Sequence, residues 1–427
     1  MRRVPEPSIP PFCITLKAAL RSTASTIAPE DESKPDTIRI QHGLDACPAG
    51  KAVVLEPDGE RSAFLSGPLD LRRGVTLVIS KGATLYASRN PRDYDLQPGV
   101  CGTITEKGHG CRALINGNNV EGAAVMGDGA IDGRGGEKIL GQSITWWELA
   151  DQARKGGNQN NPRIMILNHC DNFTLYRITL RNSPNFHVSY SNGNGFTVWG
   201  VKIWAPQKAR NTDGIDPGNS TNVTIAHSFI HTGDDQVAIK AGHGAGATTH
   251  MTIAHNHFYT GHGMSIGSET DGGASAIRVT DLSIDGADNG IRIKSNSSRG
   301  GLVHDVTYED VCIRNTKNPI YMDTNYSFFG EARDKLPVFT DISLRNVRIE
   351  GGGKVTLNGF DAAHRLGMTF DNVFFGSPAS VKVEAKEADI RATGFNLSVS
   401  GPGVRLTTSP GARKPLACES RFPGFPQ

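Results

Sequence analysis

The chain is predicted to be all-β, a single right-handed parallel β-helix with a short N-terminal capping helix, and three observations carry that prediction. A small alternating segment recurs at Gly214-Ile215-Asp216, Gln236-Val237-Ala238-Ile239-Lys240, Gly263-Met264-Ser265-Ile266-Gly267, Gly290-Ile291-Arg292-Ile293-Lys294 and Pro319-Ile320-Tyr321-Met322-Asp323. A second marker, an apolar residue beside Thr or Asp, recurs at Phe173, Phe196, Val223, Met251 and Ile277, with later copies beginning at Val303, Phe339 and Gly367. Its spacing of roughly 23 to 36 residues suits a solenoid whose turns bury their apolar faces only against their neighbours. Glycine is abundant, 50 of 427 residues, as closely spaced turns require.

Residues 1–36 are expected to lead into one domain spanning 37–427. A helix near Ile38, Gln41 and Leu44 is expected to cover the open end of the solenoid and blunt its edge strand. The other convincing helical stretch runs from Trp146 through Lys155. Among the seven cysteines, Cys101 and Cys111 bracket a short Gly-rich loop, Cys13 can pair with Cys47 near the cap, and Cys312 can pair with Cys418. Cys170 is then left odd and is expected to be buried; spacing alone does not fix the connectivity.

The pattern of alternation sets a register. Side chains of a strand point to opposite faces in turn, so Ile215, Val237, Met264, Ile291 and Ile320 share one inward position, and Ile239, Ile266, Ile293 and Met322 share the next. Arg292 and Lys294 then point outward. Asp213, Asp235, His262 and Asn289 occupy one corner position on successive turns, and neighbouring rungs lie about 4.8 Å apart. A column of polar groups results, including the adjacent Asp234.

Charge excludes more than it selects. The net charge of +2 favours no partner. No zinc spacing, phosphate-binding loop, basic block or Gly-x-Ser-x-Gly elbow is present, so no cofactor, metal or nucleic acid is expected. The Gly242-His243-Gly244-Ala245-Gly246 run opens no helix and reads as a flexible loop at the groove edge. No apolar run approaches the roughly 18 residues that span a bilayer. Pro5, Pro7, Pro10 and Pro11 interrupt any export signal after Met1, whereas the cysteines favour an oxidising compartment, so secretion from a start upstream of Met1 is expected.

Carboxylates held close together repel, and one can stay protonated while its neighbours are ionised. An acid beside a base is what glycosidic hydrolysis needs, and two adjacent cations suit an anionic sugar. In order and spacing, Asn211-Thr212-Asp213, Gly233-Asp234-Asp235, Gly261-His262-Gly263 and Arg292-Ile293-Lys294 resemble the four signature motifs of the polygalacturonase family of glycoside hydrolases. Gly127 to Gly135, Asn182-Ser183-Pro184 and the stretch from Ile320 to Tyr326 match it too, and the likeness is nearest to bacterial secreted members.

The resemblance implies a role for each residue. Asp234 would be the general acid, with Asp213 and Asp235 holding and activating the water in a single displacement that inverts the anomeric carbon. His262 would sustain the protonation of the acid. Arg292 and Lys294 would bind the galacturonate carboxylate, with Tyr326 contacting the sugar. The implied substrate is polygalacturonate or pectin, cut internally by a monomer. A rhamnogalacturonan or exo-acting hydrolase, a Ca²⁺-dependent lyase and a non-cutting carbohydrate-binding β-helix are the alternatives. Each residue also has a plainer reading: corner Asp and Asn often only bond to turn backbone, His262 can be structural, and Arg292 and Lys294 can form an ordinary solvated face. His187, after Phe186, is expected to face outward.

Overall fold

A parallel coil must turn its chain sharply at each corner, and side chains that tolerate a left-handed backbone mark those corners. In the computed structural model, which describes residues 4–23, 26–242, 246–326, 334–411 and 414–426, Asn172, Asn222, His250, Asp305 and Asp341 have φ between 50 and 57°. Short polar side chains enter this region most readily. Each is followed by a buried apolar residue: Phe173, Val223, Met251, Val306 and Ile342. The second sequence marker is therefore a corner followed by the first inward residue of a strand. In its later copies Val306 and Ile342, rather than Val303 and Phe339, stand level with Ile277 and Met368. The fold class is the predicted parallel β-helix.

The described chain divides into two compact units. The first comprises Val4–Ile215 with Thr232–Asp234. One of its faces is a parallel ladder of β1 (Leu69–Asp70), β2 (Ile115–Asn118), β3 (Met165–Asn168) and β4 (Val188–Ser191). Helix α1 (Thr37–Ala46) buries Ile40 and Leu44, while Ile38, one of the residues used to predict it, is 85% exposed. The Gln41 side chain accepts from the Asp70 N–H and donates to the Asp70 carbonyl of β1. Helix α2 (Trp146–Gln152) begins with a capping box between Thr145 and Glu148 and runs into a 3₁₀ turn at Ala153–Lys155, matching the predicted stretch. Disulfides join Cys13 to Cys47 and Cys101 to Cys111, and Cys170 is free and buried.

The second unit comprises Asp216–His231 and the chain from Asp235 onward. Its ladder runs through β5 (Val237–Ile239), β6 (Met264–Gly267), β7 (Asn289–Lys294), β8 (Asn318–Asp323), β9 (Gly353–Asn358) and β10 (Val381–Lys386). Val237, Met264, Ile291, Ile320 and Val355 stack on one row, and Ile239, Ile266, Ile293, Met322 and Leu357 on the next. All ten are buried. Each contributes about 1.5–3 kcal/mol of burial, and truncating one to Ala costs about 2–5 kcal/mol. The Cys312–Cys418 bridge ties the C-terminal segment down. There Phe422 lies under Arg314, and the Pro423 carbonyl accepts from the Tyr259 hydroxyl. Residues 243–245 of the glycine-rich run lie outside the described residues. Among those described, no helix is long and apolar enough to cross a membrane.

Candidate active site

In the first unit, two of the motifs are tied together through backbone. The Thr212 hydroxyl donates to the Ala209 carbonyl (2.7 Å) and accepts from the Gly233 N–H (2.9 Å). A Cβ on Gly233 would lie 2.2 Å from the Ala209 oxygen and 2.8 Å from that of Pro206, so only glycine fits. The turn carrying Asp234 is thus pressed against the turn carrying Asp213. The Thr232 hydroxyl donates to the Asp234 carbonyl (2.6 Å). Asp213 is buried and Asp234 partly exposed.

His187 departs from expectation: it is fully buried. Its backbone N–H meets the Asp213 carbonyl at 2.8 Å and its Nδ1 meets the same oxygen at 3.0 Å. Burial lowers its pKa to about 4, so the ring is neutral and props the turn that presents Asp213. The residue that follows a corner faces inward. Gln236 occupies that place in the second unit and is also fully buried.

The second unit gathers the other five predicted residues. Asp235, 1% exposed, accepts from Ser265 Oγ (2.7 Å) and Arg292 Nη1 (3.1 Å) at Oδ1 and from Lys294 Nζ (3.0 Å) at Oδ2. Burial works to raise this carboxyl, but Lys294, Arg292, His262 and the Ser265 hydroxyl together hold it well below the usual carboxylate range. The magnitudes agree. Removing a carboxylate from water costs several kcal/mol, whereas each cation at that distance contributes on the order of 5 kcal/mol at an effective dielectric near 20.

The register explains who meets Asp235. Ser265 and Arg292 are cross-strand partners on the outward row, and Tyr321 is the next member. Lys294 lies two residues along β7, on the same face. The Tyr326 ring lies 5.5 Å from the Arg292 guanidinium and 5.4 Å from Lys294 Nζ, and Tyr321 lies 5.7 Å from Arg292, within cation–π range. His262 keeps 34% of its side chain exposed, with Nε2 3.7 Å from Asp288 Oδ2. Gly263 has φ +91°, and a Cβ there would sit 2.3 Å from the Asn289 carbonyl. The glycine after His262 therefore permits close stacking of turns, beyond the exposure that the sequence suggested.

Three residues escaped sequence reasoning: Ser265, Asp288 and Tyr321. Ser265 and Tyr321 were within reach, because the outward row that contains Arg292 contains both. Asp288 precedes the corner at Asn289 and carried no signal of its own. Arg292 and Lys294 do face outward, but both are buried against Asp235. Their first partner is a carboxylate of the protein.

Residues 63–392 match the model of the glycosyl hydrolases family 28. The chain is 41% identical to a polygalacturonase of Ralstonia nicotianae, over 98% of this chain and 91% of the relative. It is 44% identical to an endo-polygalacturonase of Pectobacterium parmentieri, over 90% and 91%. The solved polygalacturonase from Erwinia carotovora ssp. carotovora aligns with a TM-score of 0.85 at 43% identity, over 91% of this chain and 99% of that one. By the span of the family match and the identity to full-length relatives, this chain belongs to the glycosyl hydrolases of family 28.

Proposed function

We propose that this chain is a polygalacturonase that hydrolyses α-1,4 bonds between galacturonate residues of polygalacturonate, acting internally and with inversion. The observation that carries the reading is the doubly cationic grip on Asp235. A carboxylate held ionised in this way is a base and not a proton donor. Asp234, its chain neighbour, is then the residue to protonate the glycosidic oxygen as the C1–O bond breaks. Asp235 and Asp213 orient the water and accept its proton as its oxygen bonds to C1. His262 supports the protonation of Asp234. Arg292 and Lys294, already committed to Asp235, turn further N–H donors toward a sugar carboxylate, and Tyr326 adds a ring face for the sugar.

Further features follow from the same reading. The 37–427 stretch acts as one catalytic domain with α1 as its cap, the protein works as a monomer, and it is secreted, in keeping with three disulfides. A Ca²⁺-dependent lyase is disfavoured because the most buried carboxylate already carries two cations and would repel a third.

The test is incubation of the purified protein with polygalacturonate, following viscosity, reducing ends and oligomer sizes beside Asp234→Asn. Viscosity should fall well before reducing ends accumulate, and the variant should be slowed at least about 10²-fold. An unimpaired variant would remove Asp234 from the acid role. Unsaturated products lost on chelation would select the lyase, and binding without new reducing ends the non-cutting β-helix.

A further inference from the structure

Among the described residues, the chain forms no strand after Arg405–Ser409. Residues 414–426 nonetheless hold a fixed course, back across successive turns of the second unit. The Lys414 carbonyl accepts from Asn372 Nδ2 (3.1 Å), and Cys418 is bonded to Cys312. Arg421 Nη1 then donates to Asp281 Oδ1 (2.6 Å), and the Phe422 ring centre lies 4.2 Å from the Arg314 guanidinium. With no strand ladder to hold it, this segment keeps its place through side chains alone.

Its far end meets the stretches that lead to the candidate site. The Tyr259 hydroxyl donates to the Pro423 carbonyl (3.0 Å). Burial and the nearby Asp285 push the Tyr259 pKa up to about 12, so that hydroxyl keeps its proton and stays a donor. The Phe425 ring stands edge-on to Tyr259 at 5.3 Å and to His231 at 6.3 Å, a favoured aromatic geometry. The Thr260 hydroxyl in turn lies 3.0 Å from His231 Nε2 and 3.2 Å from its Nδ1. These side chains form one cluster, with Tyr259 three residues before His262 and His231 four before Asp235.

The stretch 259–263 is also gripped from within. Gln236, fully buried and next in the chain to Asp235, donates from Nε2 to the Tyr259 carbonyl (2.6 Å) and the Thr260 carbonyl (3.0 Å). Its Oε1 accepts from the Gly263 N–H (2.5 Å). The turn that carries His262 is therefore held by Gln236 on its inner side and by Pro423 and Phe425 at its Tyr259 end. Its position matters for Asp235, because His262 is one of the groups that keep that carboxylate ionised.

We propose that the segment after Cys418 is an outer brace for the hydrolytic site, with Phe425 and Pro423 as positioning residues that fix the His262 turn relative to Asp235. The proposal rests on the polygalacturonase reading. The Cys312–Cys418 bond anchors the brace, Arg421 and Phe422 guide it, and the Phe425 ring delivers the contact.

The experiment measures kcat, KM, the pH profile of kcat/KM and thermal melts for the parent, Phe425→Ala, Phe425→Tyr and Tyr259→Phe on polygalacturonate. Phe425→Ala should lower kcat about 10-fold, a partial misplacement where a shift of about 1 Å costs about 10²-fold, with KM within about 2-fold. Its acid limb should move upward in pH, because a displaced His262 no longer helps to hold the Asp235 pKa down. Phe425→Tyr keeps the ring and should stay within about 2-fold of the parent. Tyr259→Phe drops only the bond to Pro423 and carries the test if Phe425→Ala fails to fold. It should lower kcat about 3-fold, the scale of one neutral hydrogen bond, with the acid limb moved the same way. An unchanged kcat, a loss that the melts account for entirely, a raised KM with kcat intact, or an acid limb that stays in place would overturn the brace and leave the polygalacturonase reading standing. A parent that releases no reducing ends from polygalacturonate would overturn that reading and this proposal with it.

Discussion

Arg134 and Asp235 are mirror images in electrostatics. Arg134, in the first unit, has 1% of its side chain exposed and is gripped by Glu32 and Glu137. Asp235, in the second, is equally buried and is gripped by Arg292 and Lys294. Burial opposes the charged form in both, and two opposite charges overcome it: Arg134 is shifted up and Asp235 down. What differs is closure. Arg134 spends all five guanidinium N–H groups on protein acceptors, two at Glu137, two at Glu32 and one at the Ala87 carbonyl. It clamps a residue 102 positions earlier in the chain to its coil. Asp235 instead lies beside a part-exposed imidazole, and its two cations lie against a tyrosine ring that is not fully covered. A buried charge becomes a candidate for chemistry when its surroundings stay open on one side, and a structural clamp when they close.

Substitutions at the two centres should part along that line. The largest effect is expected at Asp235→Asn: loss of the ionised base should lower kcat on polygalacturonate by about 10²- to 10⁴-fold, measured at saturating substrate. A loss below about 10-fold would assign Asp235 to scaffolding. Next comes Arg134→Met, which leaves the part-buried Glu32 and Glu137 with Arg89 as the cation they share. Denaturant titration should record about 3–5 kcal/mol lost, with kcat per folded molecule unchanged; a kcat defect without a stability defect would reverse the comparison.

A smaller and sharper effect is predicted for Lys294→Met. The cation depresses the Asp235 pKa, so its removal lets that pKa rise. The base then takes up its proton at higher pH, and the acid limb of the kcat/KM profile should move upward in pH. An acid limb that stays in place would dissociate Lys294 from the ionisation of Asp235.

Most of the frame was legible because inward residues repeat. Ile291 and Ile293 are interpretable in sequence only as members of stacked rows, and the strand register bears those rows out. The three cysteine pairs that the sequence allows, without fixing them, are the ones that form. Alternation fails where strands end. Alternation puts His187 outward, yet at its place after a corner it is fully buried, as Gln236 is. Partners set by folding were illegible for a different reason. Nothing local in Glu32 or Arg134 announces a bond across 102 residues, and the outward placement of Arg292 and Lys294 did not reveal that they close on Asp235.

The account stands most directly on the stereochemistry of the first product. Proton NMR in D₂O, recorded within seconds of mixing enzyme and polygalacturonate and before mutarotation, reports the anomeric form of the new reducing end. If Asp235 and Asp213 serve a water while Asp234 protonates the leaving oxygen, the β-anomer appears first from α-linked substrate. An initial excess of the α-anomer would mean that a carboxylate attacks the sugar itself, and would contradict the roles assigned to all three aspartates.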